Sequence, residues 1–424
     1  MANRRRFLLA AGVVAVGGAV ALRPGDHGGP HGPYFASLSA ALARAGIGVP
    51  VMVIDRARMR ANAARVVRNI NGKMALRLVA KSLPSLPLLD ELMQLTHTRR
   101  LMVFNLPYLQ LLAEQRLDTD LLLGKPMPAR AAHTFYAEFK GGAFDPARQL
   151  QWLVDTPARL AEYRELARAG GYPVRVNIEI DVGLHRGGVR EDHVLADMLN
   201  MIAAEPLLVF GGMMGYDPHL VKIPDLPGAR AGAERDAKAI YTRFHEMALR
   251  TLKPASPEAL CFNAAGSPTY RMHDGSGAAN EVSVGSAMVK PSDFDTPLLD
   301  DLQPASFIAT PVLKSGGFLL PDGAEGIGRV ATAWDVNQRH GYFIYGGNWL
   351  ADPVSPPGLS ASGLYGNSSN QQMLVGSGAQ GLRPNDFIFL RPRQSEAVLQ
   401  QFGELVVVEE GNTLHRWPVM PAMP

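Results

Sequence analysis

Cysteine is nearly absent. Cys261 is the only one in 424 residues, which excludes an intrachain disulfide and any cysteine-rich zinc module and leaves it reading as a small core residue. Charge is modest and balanced: charged side chains make up 19% of the chain, and 42 Lys and Arg against 39 Asp and Glu leave a formal net charge of +3. No long basic block interleaved with aromatics occurs, so nucleic acid is not an expected partner. Long apolar runs are scarce as well. The stretch from Ala10 to Leu22 is rich in Ala, Gly and Val, but it is too short and too weakly apolar for a span that takes about 20 residues. No stable membrane anchor is therefore expected.

The residues before that stretch, Arg4-Arg5-Arg6-Phe7-Leu8-Leu9, together with the small residues Ala19-Val20-Ala21, resemble a twin-arginine export signal over 1–22. A periplasmic location follows as an expectation. Residues 23–33 are rich in Gly and Pro and read as a linker, with His27 and His31 as linker residues rather than ligands. The remainder, in a chain that is 47% hydrophobic, is enough for one large α/β domain and a smaller one.

From residue 49 short β-rich runs alternate with helical stretches, the rhythm of a parallel α/β fold. The runs are Val51–Asp55, Leu76–Val79, Leu101–Phe104, Leu121–Leu123, Leu150–Val154, Val174–Ile180, Leu207–Phe210 and Leu260–Phe262. Eight such runs predict a closed (β/α)8 barrel over 49–290. Between the last two, Ile240, Phe244, Met247, Ala248 and Leu252 form a helical stripe that packs on a sheet. Active sites of such barrels lie at the C-terminal strand ends, which directs attention to Lys81, 181–186, Gly215-Tyr216 and 263–270. Over 291–424 the runs Phe307–Leu313, Tyr342–Tyr345 and Leu405–Val408, with no long amphipathic helix between them, predict a second, mainly antiparallel β domain joined by 34–48.

Four strand-end motifs follow one another: Leu76-Arg77-Leu78-Val79-Ala80-Lys81-Ser82; Glu179-Ile180-Asp181-Val182-Gly183-Leu184-His185-Arg186-Gly187-Gly188-Val189; Gly212-Met213-Met214-Gly215-Tyr216-Asp217-Pro218-His219; and Asn263-Ala264-Ala265-Gly266-Ser267-Pro268-Thr269-Tyr270, with Asn280–Ser286 after it. In this order they resemble the fold-type III pyridoxal-phosphate enzymes, the superfamily of the alanine racemase N-terminal domain. Within it, the branch of D-threonine aldolase and eukaryotic-type D-serine dehydratase is the nearer match. The resemblance covers roughly residues 50–296.

It implies that Lys81 holds pyridoxal 5'-phosphate as an internal aldimine and then carries a proton at Cα, with the cofactor ring delocalising the electrons left behind. Arg186 would approach the ring and temper its electron sink, the alternative being a salt bridge to Asp181 or Glu179. Tyr216 would contact ring or substrate, with His219 nearby as a further catalytic group or as a solvated loop residue. Gly266, Ser267 and Thr269 would cradle the phosphate, although Pro268 removes one N–H donor. A homodimer is also implied.

The branch has a divalent-cation site in its C-terminal part, and there the chain departs from it. The corresponding stretches are Ser369-Asn370-Gln371-Gln372 and Pro392-Arg393-Gln394-Ser395-Glu396, with glutamine in place of both histidines. Gln372, Gln394 and Glu396 are weak oxygen donors for magnesium or calcium and a poor set for zinc, so a cation is doubtful. A cation would polarise a β-hydroxyl, whereas racemisation needs only two bases. The expectation is a lyase acting on a small, D-β-hydroxy amino acid by aldol cleavage or β-elimination. The alternatives are a racemase, another metal-independent Cα proton transfer, or an inactive cofactor-binding protein.

Overall fold

The computed structural model describes residues 23–421 except 225, 324, 364 and 410–413, so the expected export signal lies outside the described residues. The chain divides into two compact units. One comprises 23–53, Phe307–Pro392 and Leu414; the other comprises Ile54–Ser306, Arg393–Glu409 and 415–421. The division thus falls at 306/307, later than the expected 290/291, and Arg393–Glu409, expected in the β domain, belongs to the barrel unit.

The strand Val51–Asp55 (β1) leads into the helix Arg56–Ile70, which Asp55 caps by accepting the Arg58 N–H at 2.9 Å. Eight parallel strands then close a barrel: Ala75–Val79 (β2), Arg100–Val103 (β3), Asp120–Leu123 (β4), Leu150–Val154 (β5), Val174–Ile180 (β6), Leu208–Gly215 (β7), Cys261–Ala264 (β8) and Glu281–Val284 (β9). Closure is made by β9 on β2, with Ala75 opposite Glu281 and Leu78 opposite Val284.

The barrel is the expected one, but its strands are counted differently. The run Val51–Asp55 is no barrel strand, and the eighth place belongs to β9. Both deviations have one cause. A buried Val/Ile-rich run reads the same in a barrel as in any other sheet, whereas Glu281-Val282-Ser283-Val284 alternates in polarity although all four residues are buried. Its polar residues face partners inside the unit. Glu281 binds Arg77 Nε at 2.5 Å, and Ser283 Oγ exchanges hydrogen bonds with the Asn263 amide at 2.8 and 3.0 Å. Arg77, 1% exposed, also reaches Asp120 at 2.6 Å and the Leu101 carbonyl at 3.0 Å, so a satisfied ionic cluster fills one end of the barrel.

Helices cover the outside of the barrel. In the longest, Ala229–Leu252, the buried face is Ala237, Tyr241, Phe244 and Ala248, one step round from the expected stripe. Tyr241 takes its place because its hydroxyl donates between the Met213 and Asn263 carbonyls at 3.1 and 2.9 Å. No helix among the described residues is long and apolar enough to cross a membrane.

In the other unit, Ser306–Gly317 (β10) pairs antiparallel with His340–Ile344 (β11) and with Phe387–Pro392 (β15). Ala351–Ser355 (β12) lies on β15, and Ser360–Ala361 (β13) and Met373–Gly376 (β14) extend the β11 side. The domain is thus mainly antiparallel, as expected, and it includes a helix not foreseen there, Glu325–Trp334. The run expected at Leu405–Val408 forms the strand Glu404–Val408 (β16) and belongs to the barrel unit. The helix Pro33–Arg44 belongs to the antiparallel unit. His31 is not free linker. Its Nδ1 lies 2.8 Å from Ser355 Oγ and its Nε2 3.0 Å from the Phe387 carbonyl, and burial lowers its pKa.

Candidate active site

The C-terminal ends of the barrel strands open on one pocket formed within the barrel unit, about 850 Å³ in volume with its open mouth included. After β2 the chain makes a single tight turn, Ala80–Ser82, before Pro84 and the next helix, and this turn aims Lys81 into the pocket. The Lys81 side chain is 32% exposed. Its Nζ lies 3.5 Å from Glu396 Oε1 and 4.5 Å from the centre of the Phe104 ring, so a carboxylate and an aromatic face bracket the amine. Phe104 follows β3. It can lie there because Gly124, after β4, has no side chain: a Cβ would meet the ring at 2.2 Å.

On another part of the wall stands Tyr216, at the end of β7. The Arg186 guanidinium lies 5.1 Å from its ring, and burial raises the pKa of its hydroxyl. Arg186 does not take Asp181 as its partner. Asp181 accepts the Gly183 and His185 N–H groups at 2.9 Å each and pairs with His185 Nδ1 at 2.8 Å and Arg190 at 3.5 Å, which shapes the loop carrying Arg186. Glu179 also reaches the pocket, and its carboxyl is pushed up to about 7. Burial is the main cause and Asp155 adds to it, while Arg186 and Arg159 pull the other way.

The turn after β8 supplies the remaining wall. Ala265 is in the left-handed conformation at φ 61°, a position that glycine takes with less strain. A Cβ on Gly266 would stand 2.6 Å from the Tyr216 ring, so only glycine lets the turn approach it. The Ser267 hydroxyl accepts the Gly285 and Ala287 N–H groups at 3.0 and 3.1 Å, leaving its own proton to donate. Among the described residues, the amide N–H groups of Ser267 and Ser286 have no protein partner. Two amides and one hydroxyl at one end of the pocket suit an anion.

Lys81, Arg186, Tyr216, Gly266 and Ser267 thus line a single pocket. Thr269 and His219 do not line it. Thr269 is fully buried. Its hydroxyl donates to Asp217 at 2.5 Å and accepts the Gly266 N–H at 3.3 Å, which holds the turn in place. Asp217 in turn bonds His273 Nε2 at 2.7 Å. His219 lies behind Gly183, with its buried Nδ1 unpartnered.

The weak cation donors are engaged separately. Gln372, in the antiparallel unit, accepts the Asn348 N–H at 2.6 Å and donates to Asn367 at 3.2 Å. Gln394 donates to Asp293 at 3.1 Å. Among the described residues no group of three or more His, Cys, Asp and Glu could hold a metal ion, and this set does not fit one.

Glu396 does reach the pocket, and its second oxygen lies in a nest of serines. Oε2 is 3.4 Å from Ser82 Oγ, 3.4 Å from Ser286 Oγ and 3.2 Å from Ser395 Oγ. The signal for Ser82 and Ser286 lay in the quoted motifs; nothing local pointed to the nest, because its members come from three separate segments.

A model of the alanine racemase N-terminal domain matches residues 54–293. No curated protein matches the chain. Among solved structures, the D-threonine aldolase of Filomicrobium marinum is 18% identical with a TM-score of 0.67, covering 88% of this chain and 97% of its own. D-threo-3-hydroxyaspartate dehydratase of Delftia sp. HT23 is 17% identical, TM-score 0.68, with the same coverage. The alanine racemase of Clostridium difficile 630 is 13% identical, TM-score 0.64, covering 89% of this chain and all of its own. Such identities speak to the fold. The family match, over more than half the chain and ending just beyond the strands that build the pocket, shows that the chain belongs to the alanine racemase N-terminal domain family.

Proposed function

We propose that this protein is a pyridoxal-phosphate enzyme acting at Cα of a small amino acid, most specifically a lyase of D-β-hydroxy amino acids. The observation that supports it is the Lys81 amine inside a barrel-end pocket whose lining also offers unengaged anion donors. Those residues fit the cofactor: Lys81 would hold it, and the Ser267 hydroxyl with the Ser267 and Ser286 amides would take its phosphate. When bound, the cofactor supplies a ring that delocalises the electrons left at Cα. Lys81 then takes and returns a proton. Tyr216, whose hydroxyl stays protonated to higher pH through burial, can give one. Phe104, Met102 and Phe294 give the pocket its apolar lining beside the Lys81 amine.

Reconstitution with pyridoxal phosphate tests this directly. Visible absorbance that borohydride bleaches while leaving the cofactor covalently attached to the wild type, and that Lys81→Ala lacks, supports the assignment; a colourless protein sinks it. Product analysis with D- and L-amino acids then separates aldehyde plus glycine from oxo acid plus ammonia. A racemase, which needs no cation, is the second reading, favoured by the separate engagement of Gln372 and Gln394. It predicts an enantiomer instead, and cofactor uptake with no product marks a binding protein.

We also propose periplasmic export, on Arg4-Arg5-Arg6 and the stretch after it, and a homodimer. Lysine at all three arginine positions should retain the protein in the cytoplasm, and light scattering reads the assembly.

A further inference from the structure

We infer that Glu396 is a specificity-determining residue. Its carboxylate recognises a hydrogen-bond donor on the substrate's β-carbon and turns away substrates with a second carboxylate. The inference rests on the reading of the pocket as an amino-acid site. Ser82, Ser286 and Ser395 are 3%, 4% and 0% exposed, and their hydroxyls converge on Glu396 Oε2. Ser286 Oγ also lies 3.1 Å from Ser82 Oγ and 3.0 Å from Ser395 Oγ, so the three protons form one network around that oxygen. A carboxylate oxygen accepts hydrogen bonds, and Ser82 and Ser395 can each give Oε2 their one proton while Ser286 gives its own to Ser82 or to Oε2. The serines therefore hold Glu396 in one orientation. Oε1 is left facing Lys81 and the pocket, where it needs a further donor once the amine is engaged elsewhere.

A β-hydroxyl or β-ammonium supplies that donor. A β-carboxylate meets a fixed like charge, with the Glu179 carboxyl also lining the pocket. The α-carboxylate is common to all the amino acids compared and cancels.

The test uses the cofactor-loaded full chain, reading dissociation constants from ligand-induced changes in cofactor absorbance. The probes are D-threonine, D-2-aminobutyrate, which lacks the hydroxyl, and D-threo-3-hydroxyaspartate, which adds a carboxylate. The wild type should favour D-threonine over each by about tenfold or more, the value of a charged hydrogen bond. Glu396→Gln, the same in shape, should bring 3-hydroxyaspartate to within about threefold of D-threonine. Glu396→Leu should also erase the preference over 2-aminobutyrate, and Glu396→Asp should keep the rejection of the diacid. Equal wild-type binding of threonine and 3-hydroxyaspartate overturns the inference, as does unchanged discrimination in Glu396→Gln; tighter diacid binding would point to Arg186 instead. If the wild type takes up no cofactor, the reading of the pocket fails and this inference with it. Uptake without discrimination overturns this inference alone.

Discussion

Glu179 offers a test of the pocket's electrostatics that needs neither cofactor nor substrate. Its carboxyl, ordinarily near 4.5, is pushed up to about 7, chiefly by burial and then by Asp155. The folded protein therefore binds this proton more tightly than the unfolded chain. The resulting stability is fully present below about pH 4.5 and is lost as pH rises through about 7. At about 1.4 kcal/mol for each factor of ten in proton affinity, the interval limits the loss to about 3 kcal/mol, and water at the pocket mouth reduces it. Glu179→Gln keeps the shape and removes the charge. In urea unfolding of the cofactor-free protein, followed by fluorescence of the buried Trp152, the variant should gain on the wild type between about pH 4.5 and about pH 7. Above that the gain should level off at about 2–3 kcal/mol. A difference that stays constant with pH, or that shrinks as pH rises, would refute the argument.

Arg77→Met leaves Glu281, 2% exposed, without its nearest partner and should cost about 3–5 kcal/mol in the same urea assay, towards the lower end because Arg100 remains 3.4 Å away. Arg77→Met with Glu281→Met should recover much of that loss; a double variant as weak as the single one would mean that the cluster does more than satisfy itself. Gly266→Ala puts a Cβ 2.6 Å from the Tyr216 ring. Cofactor affinity should fall about tenfold or more while unfolding shifts by about 1–2 kcal/mol, and unchanged affinity would separate Tyr216 from the cofactor site.

Much of the pocket could be read from sequence because it sits at strand ends, where a short apolar run announces its own terminus. Strand ends pointed to the stretches that hold Lys81, Tyr216, Gly266 and Ser267, the family resemblance singled those residues out, and each lies within a few residues of the strand that aims it. The number of barrel strands was legible but not which run is the last, since an inward-facing Glu281 satisfied by a buried Arg77 breaks the apolar pattern. Proximity in sequence also misled in two places. His219 and Thr269 stand beside wall residues, yet Thr269 turns its hydroxyl to Asp217 and His219 packs behind Gly183.

Glu396 shows where a local reading stops. The motif around Gln394 brought Glu396 forward as a weak oxygen donor for a cation. What the carboxylate can do depends on Ser82, Ser286 and Ser395, and through Lys81 on a residue 315 positions away. Three neutral donors can orient a charge without cancelling it. Lys81 pairs with Oε1 at 3.5 Å; once that amine is engaged elsewhere, the serines around Oε2 leave the charge available to the substrate. The segments that carry them, and not the motif that carries Glu396, make this end of the pocket selective.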